Sequence, residues 1–181
     1  DVTAYNYGGQ HVMIYDGFEF GHEMVSRVVK VGKNVEGIKE GDRVFPVPQF
    51  AKNDYTRAET IGGFSEYVEL PQCKLNQSVY LVPDAIEDEL ASVIEPFTVG
   101  ANAVWRMGIE SGKKAIVFGA GAIGLTAAMT LKYLGCEVVV TDMLQERLDI
   151  AKSLGMHVCN LSTENYFEKC SSILGSTFGF T

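Results

Sequence analysis

The sequence predicts two successive units of different class: a small antiparallel β unit over residues 1–96, then an α/β unit with a parallel sheet over 97–181. Three observations predict it. Residues 26–48, SRVVKVGKNVEGIKEGDRVFPVP, break short valine-rich runs with Gly32, Gly37 and the Gly41–Asp42 pair, the punctuation of tightly turned antiparallel strands. From residue 86 the apolar residues recur at helical spacing. Beyond residue 113, continuous apolar runs alternate with helical patterns, the rhythm of parallel strands joined by right-handed crossovers.

Taken in order, Val28, Val29, Val31, Val44, Phe45 and Val47 supply the first strand candidates. FSEYVEL (64–70) and VYLVP (79–83) supply two more, and the polar, aperiodic stretch 49–63 before them reads as a surface loop. DAIEDEL (84–90) is expected to start a helix, with Asp84 as a cap and the carboxylates favouring its positive end. The helical pattern then continues to Trp105, expected in the core, with a break or bend at Pro96. KAIVF is apolar throughout, as expected of a strand buried on both faces. The helix after it is predicted to end at Gly135, a second strand to follow as EVVVTD, and a second helix to stop at Gly155. HVCN is a short third strand, with a helix near 164–174 closing the pattern.

Composition narrows the function classes. The 181 residues are 46% hydrophobic and 21% charged, as in ordinary globular α/β proteins. A net charge of −8 repels phosphate backbones and anionic lipid, so neither nucleic acid nor a membrane surface is an expected partner. No apolar run approaches the roughly 20 residues that span a bilayer, and a cytoplasmic location is expected. Cys73, Cys136, Cys159 and Cys170 show no metal-knuckle spacing and read as small apolar residues in a reducing compartment. The start at Asp1 and the unfinished apolar segment GSTFGFT lead to the expectation of a chain truncated at both ends.

The sharpest chemical signal is GAGAIG. It sets Gly119, Gly121 and Gly124 between a buried strand and a helix, and an acidic residue, Asp142, closes the next strand. Gly119 allows the tight turn, Gly121 lets a pyrophosphate approach, and Gly124 lets the helix pack close to the strand. The helix N-terminus, including Ala122 and Ile123, offers unpaired N–H groups to phosphate. Asp142 is placed to accept from the adenosine ribose hydroxyls and would repel a 2′-phosphate, which favours NAD over NADP. Arg147, five positions further, completes the candidate cofactor residues. A similar sheet that binds another nucleotide, or none, is the alternative.

The second signal is GHE at 21–23. On the residues alone, His22 reads as a structural side chain at the mouth of a strand. However, GHE, VGKNVEGIKEGDRV (31–44), GGFSEYVEL (62–70), IEPFTVG (94–100) and VFGAGAIGL (117–125) occur in an order that resembles the medium-chain dehydrogenase/reductase family of zinc-containing alcohol dehydrogenases. IEPFTVG resembles the polyol, sorbitol dehydrogenase-like branch. The resemblance implies a partial GroES-like barrel followed by the first half of a Rossmann doubly wound parallel sheet. It also implies NAD-dependent, zinc-assisted oxidation of a secondary alcohol or polyol to a ketone, and a homo-oligomer in the full-length form.

By the same resemblance, His22, Glu23 and Glu95 are ligands of one catalytic zinc, with Glu23 either a ligand or alternating with one. A further cysteine ligand would precede Asp1. Thr3 stands where relatives often carry a proton-relay histidine, and with Glu23 it forms the expected catalytic set; Tyr5 is as readily a packing residue. Ser26 replaces a glycine common in the GHE signature. No cysteine lies between Val44 and Gly62, so a structural zinc lobe is not expected. Two other functions fit less of the pattern: a zinc-free quinone or enoyl reductase, which has no role for GHE with IEP, and a catalytically incomplete nucleotide-binding module. His11 reads as an exposed loop residue and His157 as structural.

Overall fold

The computed structural model describes residues 21–48 and 62–175. Its chain divides into two compact units, Asp1–Glu95 and Pro96–Thr181.

In the first unit, β1 (Ser26–Arg27), β2 (Arg43–Pro46) and β3 (Val79–Leu81) form an antiparallel sheet with β2 in the middle. The register pairs Ser26 with Val44 and Phe45 with Tyr80. Of the valine run only Ser26–Arg27 is strand, although Val28 still exchanges main-chain bonds with Asp42 (2.9 Å) and Gly41 (2.8 Å). FSEYVEL is not a strand: Phe64 and Tyr67 are exposed, so its alternation marks no buried face. A small core of Phe45, Val82 and Ala91, with Val25, Val47, Ile86 and Ile94 against it, closes the sheet. Arg43 ties the following segment to β2, its guanidinium donating to the Ile86 carbonyl (2.8 Å) and to Asp88 (2.5 Å). The short helix α1 (Asp88–Ala91) begins after Glu87, and neither Asp84 nor Glu87 caps it with a side chain.

The next helix, α2 (Ile94–Arg106), starts in the first unit and continues into the second. Pro96, expected to break or bend the helical pattern, instead lies inside a continuous α2; the interruption lies at Ser92–Val93. As the third residue of α2, Pro96 gives up an N–H that has no intrahelical acceptor anyway, so the ring is tolerated. Trp105 is 63% exposed, while its neighbour Val104 is buried.

The second unit is a parallel sheet in the order β4 (Lys114–Phe118), β5 (Glu137–Asp142), β6 (His157–Asn160). Its helices are α3 (Ala122–Tyr133), α4 (Gln145–Ser153) and α5 (Tyr166–Leu174). Alternation along β5 separates two cores. Val138 and Val140 pack with Val104, Ala128, Leu131, Leu148 and Ala151, while Val139 faces Cys159, Cys170 and Leu174. Helices therefore cover both faces, and β5 is the strand buried on both. β4 is not: among the described residues it pairs only with β5, and Phe118 is 65% exposed. Gly135 and Gly155, both with positive φ, end α3 and α4 as predicted.

One close approach depends on a missing side chain. A Cβ on Gly100 of α2 would lie 2.8 Å from both the Ala127 nitrogen and the Ile123 oxygen of α3. Beside it the Thr126 hydroxyl donates to the carbonyls of Ile123 (2.9 Å) and Pro96 (3.3 Å).

Candidate functional site

Two arrangements carry chemistry, one in each unit. In the first, His22, Glu23 and Glu95 each offer a ligand atom, and these atoms all lie within 4.8 Å of one another. His22 Nε2 stands 3.9 Å from Glu95 Oε2. His22 and Glu95 are partly buried and Glu23 is exposed, so the cluster has one face open to solvent.

Glycines set the position of His22. Gly21 has φ +83°, a conformation L side chains rarely adopt, and a Cβ there would run into the Phe64 ring. Gly63 donates its N–H to the Gly21 carbonyl at 3.0 Å, and a Cβ on Gly63 would come within 3.4 Å of the His22 nitrogen. The GGF stretch thus packs main chain to main chain against GH, which explains why both motifs carry glycine. Glu95 comes from the first turn of α2, immediately before Pro96.

One imidazole and two carboxylates form a nitrogen–oxygen donor set suited to zinc. Ligands about 2.0–2.2 Å from an ion stand roughly 3.4 Å apart in a tetrahedron. The His22–Glu95 separation of 3.9 Å is somewhat wider, and no pair exceeds 4.8 Å. The residues fit the metal, and three protein ligands with an open face is the pattern of a catalytic site. Thr3 lies outside the described residues, as do Tyr5 and His11.

In the second unit, Gly119, Gly121 and Gly124 answer three separate demands. Gly119 has φ +97° and turns the chain out of β4, its N–H bonded to the Thr141 carbonyl at 2.7 Å. Gly121 precedes α3, and a Cβ there would meet nothing within 4 Å. Gly124 is packed so tightly that a Cβ would land on the Gly119 carbonyl oxygen. No side chain caps α3 and no acidic residue stands in its first turn, so its N-terminal N–H groups, at exposed Ala122 and Ile123, face open space.

Asp142 closes this loop from the end of β5. Its Oδ2 accepts from the Ala120 N–H (2.7 Å) and its Oδ1 from the Leu144 N–H (2.9 Å). The Leu144 bond and then the Ala120 bond hold its carboxyl below the usual aspartate range, with a smaller contribution from the charge of Arg147. The glycine loop and the acidic residue, 23 positions apart in sequence, are therefore joined directly. Arg147 lies exposed in the first turn of α4.

Sequence reasoning passed over Asn160, Phe64 and Thr126. Asn160 is only 7% exposed and sits opposite Asp142 in the sheet. The pattern NLSTE, an Asn with a Glu four residues on, was the available signal. His157 is exposed at the start of β6 with Nε2 3.9 Å from Glu137, and so is not a core residue.

Comparison with known proteins places most of the chain in a family. Residues 1–84 match the family described as alcohol dehydrogenase GroES-like domain, and residues 122–178 match zinc-binding dehydrogenase. L-galactonate-5-dehydrogenase of Escherichia coli K12 is 35% identical over 163 residues, which cover 81% of this chain and 46% of that protein. Sorbitol dehydrogenase of Bacillus subtilis is 30% identical over 175 residues, covering 86% and 48%. Among solved structures, an alcohol dehydrogenase from Escherichia coli CFT073 complexed with NADH superposes with a TM-score of 0.70 at 30% identity, covering 84% of this chain and 50% of that one. The chain spans about half the length of the curated relatives it matches.

Proposed function

The chain belongs to the zinc-type medium-chain dehydrogenase/reductase family, and on that premise we propose that the whole protein oxidises a secondary alcohol or polyol to a ketone with NAD. The observation that carries this reading is the convergence of His22, Glu23 and Glu95 to within 4.8 Å. A zinc-free quinone or enoyl reductase would have no use for it.

Zinc, when bound, supplies Lewis-acid polarisation of an alcohol oxygen, and NAD supplies the hydride acceptor. The remaining work falls to the chain. His22, Glu23 and Glu95 hold the ion, with Glu23 on the exposed side as the ligand able to alternate. The uncapped start of α3, reached past Gly121, presents N–H groups to the pyrophosphate. Asp142 orients the adenosine ribose, with Arg147 beside it. Its charge, and the NADH found in the similar dehydrogenase, support NAD over NADP. Sorbitol and galactonate dehydrogenases among the relatives support a polyol-like substrate. Thr3 is proposed as the proton relay on sequence grounds. A homo-oligomer of the whole protein is proposed on the family resemblance alone.

The test is metal analysis of the purified intact protein combined with NAD reduction on a panel of polyols and secondary alcohols. About one catalytic zinc per chain and activity abolished by a chelator are expected. Activity on enones or quinones that survives complete metal removal would replace this reading with the zinc-free reductase.

A further inference from the structure

The end of β6 carries a polar network to which the reading above gives no role. Asn160 is buried, yet each of its polar groups is engaged. Its N–H donates to Glu164 Oε2 (2.9 Å), its Oδ1 accepts from the Ser162 N–H (2.9 Å), and its Nδ2 donates to Gln145 Oε1 (3.0 Å). The amide orientation is dictated by its neighbours. The Ser162 N–H requires an oxygen, while Gln145 presents its own oxygen because its Nε2 is turned to Asp149 Oδ1 (2.9 Å).

The targets of these bonds are specific. Asn160 reaches Gln145, the Leu161 N–H donates to the Asp142 carbonyl (2.9 Å), and the Ser162 hydroxyl donates to the Met143 carbonyl (3.4 Å). Residues 160–162 thus grip the Asp142–Gln145 turn at three points, while the Asp142 carboxylate is fixed from the other side by Ala120. Glu164, which receives the Asn160 N–H, is itself anchored by Lys169 at 2.7 Å. A buried amide costs stability unless its groups are paired, and here its Nδ2 is paired to Gln145, at the far end of the turn that begins at Asp142.

We propose that Asn160 is a positioning residue of the dinucleotide site, aiming the Asp142 carboxylate by holding the 142–145 turn through Gln145. This rests on the reading that Asp142 accepts from the adenosine ribose. Asn160 touches no reacting atom; it keeps the carboxylate from rotating with a loose turn.

The experiment is a double-mutant cycle in the intact protein, read as the Kd of NADH by fluorescence titration, with thermal melting alongside. N160A should weaken NADH roughly three- to tenfold, the equivalent of about one hydrogen bond. In the D142A background the same change should add no further loss, because no carboxylate remains to be aimed. Q145A, at an exposed residue, should show the same coupling on a smaller scale and serves the cycle if N160A fails to fold. An undiminished loss in the D142A background, or no loss in either variant while D142A weakens NADH, would overturn the positioning role and leave the ribose reading standing. NADH affinity unchanged in D142A itself would overturn both.

Discussion

The two units make their sites from different materials. The cluster of the first unit is built from side chains: one imidazole and two carboxylates carried on a strand approach and a helix start. The loop of the second is built from main chain, with glycines chosen for what they lack and N–H groups as the proposed recognition elements. A side-chain site fails when a functional group is removed. A main-chain site fails when an atom is added.

That contrast is open to attack, beginning with its largest expected effect. H22A removes the single nitrogen of the proposed ligand set and should weaken zinc by more than the roughly 10–100-fold typical of losing an outer-shell partner. Metal content by atomic spectroscopy checks it, and NADH affinity should hold. Retained zinc in H22A would break the comparison at once.

The glycines sharpen it next. G124A drives a methyl into the Gly119 carbonyl and should destabilise by about 1–3 kcal/mol or more, seen in chemical denaturation. G121A meets open space at φ −77°, which alanine adopts freely, so stability should stay within about 0.5 kcal/mol. Its damage should appear in NADH affinity alone. Equal melting losses in the two variants would remove the distinction between a packing glycine and an approach glycine.

A third effect is smaller and tied to pH. Because the folded-state pKa of Asp142 is depressed, its contribution to stability is complete above the ordinary carboxylate range and is lost as pH falls through the folded value. D142N should therefore flatten the acid limb of the stability profile and leave the neutral difference between wild type and variant independent of pH. The smallest effect is D88A. Asp88 is largely exposed where it meets Arg43, and its loss should cost no more than about 1 kcal/mol.

Legibility in the sequence followed the same division. EVVVTD could be read as a central strand because every one of its positions from Val138 to Thr141 is buried, which requires a continuous apolar run. KAIVF has the same composition but lies at the edge of the described sheet, and strand order is not written in a strand's own residues. FSEYVEL imitates a strand because its aromatic and aliphatic residues are interspersed with Glu66 and Glu69, yet Phe64 is placed there by Gly21, across the unit. Likewise Trp105 shares the helical pattern of Val104 but faces outward, since spacing marks a stripe without saying which neighbour covers it. GHE and Glu95, 72 positions from Glu23, showed no sequence proximity at all. Only the family resemblance linked them, and the geometry is what brings them together.

Pro96 gives the cluster one more property. Its ring fixes its own φ near the helical value but disfavours helical backbone at the residue before it, which is Glu95. Glu95 is nonetheless helical, in the first turn of α2. Local chain preference therefore does not preform the ligand's backbone; the folded helix imposes it. An ion held by His22, Glu23 and Glu95 accordingly recognises the native chain and not the unfolded one, so metal occupancy and unfolding are thermodynamically linked. At a free zinc concentration one hundred times its Kd, that linkage adds about 2.7 kcal/mol to the native state.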